Sequence, residues 1–192
     1  MPVTLADNAI IALDDLKVDF LAIDIDETEH DEFFKRAINS ASQKIEDYTR
    51  RIFKSRSFTE KMDGDGDDIL NLYHFPLVSF TSLTNLDTSI AIDTTGYEID
   101  LESGVIYAKG KTIFQELKYP WIQAVYVAGY STIPWSIQEA CIKMSALEWA
   151  GRDTKRLGIV SKNLADGATL TYDKSDIPAD IKVVLDQYAR VY

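Results

Sequence analysis

The densest set of candidate ligand atoms in this 192-residue chain is an acidic run, Asp63-Gly64-Asp65-Gly66-Asp67-Asp68. Alternating carboxylates are what a calcium loop uses, but an EF-hand also needs glycine at its sixth position and a bidentate glutamate at its twelfth. Counted from Asp63, those places hold Asp68 and His74; counted from Asp24, they hold Glu29 and Lys35. Neither register closes a calcium shell. The run reads as a solvated hairpin tip, with a weak cation site as the lesser alternative.

The other reactive residue types are sparse. His30 and His74 share no metal-ligand spacing. His30 falls in the first turn of a predicted helix, where a solvated side chain is expected, and His74 sits beside Phe75-Pro76 at a strand end. Cys141 is the single cysteine, so neither an intrachain disulfide nor a cysteine zinc site can form. Ala140, Met144 and Leu147 surround it on a predicted helix, which makes it a buried structural thiol rather than a nucleophile. No G-x-S-x-G elbow and no glycine-rich phosphate loop occurs. The expectation is therefore a protein without a catalytic set and without a cofactor. A small hydrolase using an unassigned carboxylate pair is the alternative.

Charge narrows the partners. The chain carries 31 acidic against 20 basic side chains, a net charge of −11. Tight wrapping of nucleic acid needs Lys and Arg on phosphates, so this balance disfavours it. Arg50, Arg51, Lys54 and Arg56 form the one cationic concentration. At the end of a helix, Arg50 and Arg51 would complement the macrodipole, and Ile52 and Phe53 interrupt the group as a DNA-binding stripe. The first dozen residues contain two aspartates and no basic segment before an apolar run, and no stretch approaches the roughly 20 apolar residues that span a bilayer. These features predict a soluble intracellular protein.

The elements that must carry these residues follow from periodicity. Ile10, Ile11, Leu13, Leu16 and Phe20 predict a short helix over residues 8–20, and Thr28 with Asp31 approximates a capping box. Phe34, Ile38, Ala41, Ile45 and Tyr48 step by four, three, four and three along a helix predicted over residues 29–50, ~33 Å long. About six short strands follow within about 70 residues, joined by turns too short for crossover helices. They lie near Ser57–Met62, Ile69–Leu72, Leu77–Leu83, Tyr97–Ile99, Val105–Tyr107 and Ile122–Val127. Helix returns after Pro134 with Ile137, Cys141, Met144 and Leu147, and Trp149 near its edge. Residues 153–176 show no sustained period and read as a long loop. Pro178 opens a last helix predicted to run to Tyr192, with Ile181, Val184, Leu185 and Tyr188 on one face. The class is α+β: an antiparallel β region between helical segments.

Taken in order, these pieces resemble the tailed-bacteriophage head–tail connector family of adaptor and head-completion proteins. The matching stretches are Val18-Asp19-Phe20-Leu21, Ile45-Glu46-Asp47-Tyr48-Thr49-Arg50-Arg51, Thr59-Glu60 leading to Asp63-Gly64, and Leu70-Asn71-Leu72 through Phe75-Pro76-Leu77-Val78-Ser79. Val125-Tyr126-Val127-Ala128-Gly129-Tyr130 and Ile133-Pro134 with Glu139-Ala140 complete the order. The resemblance is weakest over residues 86–118 and 153–176.

What the resemblance implies is one connector domain, residues 1–192: a small core of about four helices with an inserted antiparallel β region. N-terminal helices would occupy residues 1–53, the β-rich insertion 54–130, and C-terminal helices 131–192. It further implies a virion protein of the neck, assembled in the bacterial cytoplasm. Such a protein forms a ring with copies of itself, twelve if it follows the portal. It bridges the portal protein to the next head-completion or tail protein, and genome DNA passes through without specific binding. A tail-completion or other neck protein is the alternative slot. The corresponding expectations for residues are a channel or next-ring surface at Asp63, Asp65, Asp67 and Asp68, and portal docking by Tyr188, Arg190, Val191 and Tyr192. Subunit contacts are expected at Phe34, Ile38, Arg50, Arg51 and Trp149.

Overall fold

The computed structural model describes residues 2–64, 66–110, 114, 119–153, 161–163, 169–171 and 177–189. The chain forms two compact units, one from residues 1–50 with 133–192 and one from residues 51–132. The architecture is α+β, with helices in the first unit and antiparallel sheets in the second.

In the helical unit, α1 (Asp31–Thr49) buries Phe34, Ala37, Ile38, Ala41 and Ile45, the stripe its sequence period predicts. Arg50 takes a left-handed conformation, φ 53°, and ends the helix. At the other end the expected capping box is absent. Thr28 supplies only its backbone carbonyl, accepting from the Asp31 amide at 3.2 Å. The Asp31 carboxylate instead accepts a charged hydrogen bond from Lys17 Nζ at 3.0 Å. Lys17 is only 1% exposed, and it also donates to the Ile25 carbonyl at 2.9 Å. A buried ammonium takes the nearest anion, and that outweighs a local cap.

The predicted helix over residues 8–20 is shorter than its apolar spacing suggests. Residues before it form a strap tied to the polar side chains of α1: Ala6 N donates to Asn39 Oδ1 at 2.8 Å, and Ile10 N donates to Ser42 Oγ at 3.0 Å. Asn8 bonds Gln43 and Glu46. With these amides satisfied by another element, helix is confined to the end of the segment, where Asp15–Phe20 is a π-helix.

α2 (Trp135–Asp153) begins after Pro134, whose carbonyl accepts from Ile137 and Gln138. Ile137, Cys141 and Met144 are buried, but Leu147 is 53% exposed, contrary to its place in the predicted stripe. The face turned to α1 continues instead through Glu148, which accepts from Ser40 Oγ at 3.1 Å and Lys44 Nζ at 3.3 Å. α3 (Ala179–Asp186) starts at Pro178 and buries Ile181 and Leu185. It stops at Asp186, short of the predicted Tyr192, and Asp186 accepts a short hydrogen bond from Tyr48. The predicted loop at 153–176 contains a short antiparallel pair, β8 (Ser161–Asn163) with β9 (Thr169–Thr171); its other residues beyond Asp153 lie outside the described residues. Among the described residues no helix is long and apolar enough to cross a membrane.

The β unit holds two antiparallel sheets. The first has the order β1 (Arg56–Met62), β7 (Ile122–Ala128), β3 (Leu77–Asn85), β4 (Ile90–Ile92). The second has the order β2 (Ile69–Asn71), β6 (Val105–Ala108), β5 (Tyr97–Asp100). Alternation along β7 puts Ile122, Ala124, Tyr126 and Ala128 inside. These join Leu77 and Leu83 from β3 and Leu70, Ile106 and Ala108 from the second sheet in one hydrophobic cluster. The sheets therefore share a core, and their other faces look outward on opposite sides.

The acidic run is not a hairpin tip. It carries the chain from β1 in one sheet to β2 in the other. Its backbone is held by Phe114, with Gly66 N donating to Phe114 O at 2.9 Å and Phe114 N donating to Asp67 O at 2.7 Å. Phe114 itself is buried in the shared core. The short β4, with its Ile90-Ala91-Ile92 sequence, is a strand the periodicity did not reveal.

Candidate functional site

The expected site residues that the structure describes are divided between the two units. Phe34 and Ile38 are fully buried within the helical unit, so as subunit-contact residues they are corrected to core. Each faces inward because the α1 stripe is no wider than its own unit needs. Trp149 is half-buried and packs with Phe34 and Phe33 at ring distances of 4.9 and 5.5 Å. His30, expected in solvent, is the third ring on Trp149, at 4.8 Å. Arg152 covers the outside of this cluster, 5.0 Å from Phe33 and 5.3 Å from Trp149. The group clamps the start of α1 to the end of α2 through packing and cation–π attraction.

Arg50 is exposed at the end of α1. Arg51 belongs to the β unit, where its guanidinium lies 4.8 Å from the Phe75 ring. Its Nε is buried without a hydrogen-bond partner among the described residues. Asp63, Asp67 and Asp68 are exposed, and Asp65 lies outside the described residues. Tyr188 is half-buried, its hydroxyl 3.0 Å from Ser136 Oγ. Arg190, Val191 and Tyr192 lie outside the described residues.

Reactive groups are tied into structure. Cys141 is buried, 3.6 Å from Ser42 Oγ, and burial pushes its thiol up to about 11 against the pull of the Ser42 and Ser145 hydroxyls. A thiol held neutral in this way is a poor nucleophile. No group of three or more His, Cys, Asp or Glu side chains that could hold a metal ion occurs among the described residues.

A polar knot closes one end of the β core. Tyr126 donates to Glu60 Oε2 at 2.5 Å, the Glu60 carboxylate accepts from Tyr73 N at 3.1 Å, and His74 N donates to the Tyr126 oxygen at 3.3 Å. The His74 ring lies 4.0 Å from Phe58. Burial first, then the Glu60 hydrogen bond and charge, raise the Tyr126 pKa far above the ordinary 10.0. Because the folded value is the raised one, the stability linked to this proton is complete below pH 10.0 and is lost as pH rises toward the folded value. Tyr126→Phe is expected to cost about 1–2 kcal/mol at neutral pH, since it takes the hydroxyl donor from Glu60 and leaves that carboxylate the Tyr73 amide. It should also flatten the loss of stability above pH 10.0, measured by denaturant unfolding at several pH values.

What remains on offer to a partner is surface. On the outer face of the first sheet, Ser57, Val127 and Ser79 align in one row, and Thr59, Val125 and Ser82 in the next. Lys61, Gln123 and Thr84 make the third row, and none of the side chains in these rows is acidic. The outer face of the second sheet is different. Ile69, Tyr107 and Glu98 align in one row, and Asn71, Val105 and Asp100 in the other. Ile69 and Tyr107 are 37% and 42% exposed. Asp100 accepts from the Ser103 hydroxyl and from the Glu102 and Ser103 amides, which lower its pKa and keep it ionised.

Two such faces, unlike in chemistry, are the broad surfaces that the described residues of the β unit present. The family model for head completion protein matches residues 9–191. The chain belongs to the head completion protein family. Membership covers nearly the whole length and agrees with the connector resemblance of the ordered motifs. Among solved structures, the chain is similar to one in the neck of an empty gene transfer agent (GTA) particle computed with C6 symmetry. There the TM-score is 0.66 at 16% identity, covering 98% of this chain and 93% of that one. It is also similar to a chain in the virion of the native GTA particle, with a TM-score of 0.62 at 15% identity, covering 100% and 95%. A third match, from the neck of the native particle computed with C12 symmetry, has a TM-score of 0.62 at 16% identity and covers 96% and 95%. At these identities the likeness is one of fold. No curated protein matches the chain.

Proposed function

We propose that this head completion protein is a structural ring component of the virion neck. It seats on the portal vertex, extends the DNA channel and joins the filled head to the next completion or tail protein. The observation that carries the reading is the family match over residues 9–191. It is supported by the near full-length fold likeness to chains of a particle neck computed with C6 and C12 symmetry. A twelvefold ring of copies on the portal is the arrangement we favour. The role is mechanical, and genome DNA is its passing cargo. A net charge of −11 suits that task, because phosphates are held by cations and slide past carboxylates. Within this reading, Asp63, Asp67 and Asp68 face the channel or the next ring, and the segment from Tyr188 onward docks on the portal.

Particles assembled without this chain provide the test. They are expected to package DNA, then lose it and remain tailless, and adding the purified protein back should restore tail joining. Normal tail attachment in its absence would overturn the proposal. Binding to tail tubes with none to portals would move the protein to a tail-completion slot.

A further inference from the structure

The two outer faces of the β unit lie on opposite sides of one core and have complementary chemistry. We propose that they are the two halves of the contact between neighbouring copies of this chain, the hydroxyl-rich face of one copy seated on the Ile69–Tyr107 face of the next. This rests on the ring reading above and adds which surfaces make the ring.

Charge decides the pairing. Each copy carries −11, so copies approach each other most easily where carboxylates are absent from at least one side. The rows on the first sheet meet that condition, and their one charge is the exposed Lys61. On the second sheet, Glu98 and Asp100 flank the exposed Ile69 and Tyr107. Joining unlike faces brings Lys61 toward carboxylates and lays small Ser, Thr and Val side chains on an apolar centre. Joining like faces would set Glu98 and Asp100 against their own copies. An apolar centre with charges at its margin is also the composition of a specific interface.

Geometry points the same way. A contact between two different patches is head-to-tail, and it closes into a ring when its rotation divides the circle. A sandwich whose unlike faces look in opposite directions supplies those patches. The first sheet contributes few long side chains, so its face costs little side-chain entropy on contact.

Cysteine pairs test the contact in rings formed on the cognate portal. Under mild oxidation, a Lys61→Cys/Glu98→Cys double variant should give a disulfide ladder of dimers, trimers and higher species. Each single variant alone should stay uncrosslinked, and a mixture of the two should stop at dimers. The wild type, whose one thiol is the buried Cys141, serves as the blank. Independently, Lys61→Glu should lower ring occupancy about tenfold, and adding Glu98→Lys should restore it. Rings visible by electron microscopy without a ladder would overturn the assigned contact alone, and so would dimers from one single variant. Failure of the wild type to form rings on the portal would overturn both this contact and the ring reading.

Discussion

Asp31→Ala is expected to destabilise the helical unit by about 3–5 kcal/mol, the range for stranding one partner of a buried ion pair. Lys17 is 1% exposed and Asp31 is 19% exposed, so the two substitutions are not equivalent. Without Asp31, the Lys17 ammonium keeps, among the described residues, only the Ile25 carbonyl and sits where water does not reach it. Lys17→Met removes the buried charge while filling its volume, and the remaining Asp31 carboxylate can turn to solvent. Asp31→Ala should therefore be the worst variant, Lys17→Met milder, and the double variant close to Lys17→Met. Denaturant unfolding of all four proteins checks the order, and a loss below about 1 kcal/mol for Asp31→Ala would refute the buried pair.

The second large effect is expected at Gly129, in the β unit. Its φ is 118°, and an added Cβ would lie 2.7 Å from Ser55 N and Cα and 2.8 Å from the Lys54 carbonyl carbon. All three are backbone atoms, so no side chain can swing aside. Gly129 N donates to Pro76 O at 2.9 Å, and Tyr130 N donates to Phe53 O at 2.9 Å beside a parallel bridge between Lys54 and Tyr130. Gly129→Ala must strain the backbone or part these bonds, at a cost of at least about 3 kcal/mol. Gly151→Ala is the matched control. A Cβ there meets nothing within 4 Å, and in a helix the change should stabilise by about 0.5–1 kcal/mol. Equal stability of the two variants would refute the close approach at Gly129.

Much of this fold was legible from periodicity because its signals are local. The stripe on α1 and the alternation of Ile122–Ala128 each reflect one element facing one core. What escaped depends on partners distant in the chain. The capping box failed because Lys17 claims Asp31, and the early helix failed because Ser42 and Asn39 bind the amides of Ile10 and Ala6. The acidic run resembles a hairpin turn until β1 is seen to pair with β7 and β2 with β6, pairings that span most of the β unit. His30 looked solvated because Trp149, its neighbour in space, lies at the far end of α2.

The surfaces were harder to read than the core. Phe34 and Ile38 are apolar on a helix, which marks burial without saying against what. Their own unit covers them completely. The contrast between the two outer sheet faces needs the strand register. Ser57, Val127 and Ser79 become one row only when β1, β7 and β3 are aligned, across two register shifts in β3. Order and spacing of motifs nonetheless pointed to the connector family, which the family match over residues 9–191 establishes.

We propose that this head completion protein forms a ring on the portal vertex. Electron microscopy of the cognate portal with and without the purified chain tests it most directly. An added annular density is expected below the portal, following the portal's symmetry and coaxial with its channel. A portal that stays bare at saturating protein, in particles that still acquire tails, would contradict it.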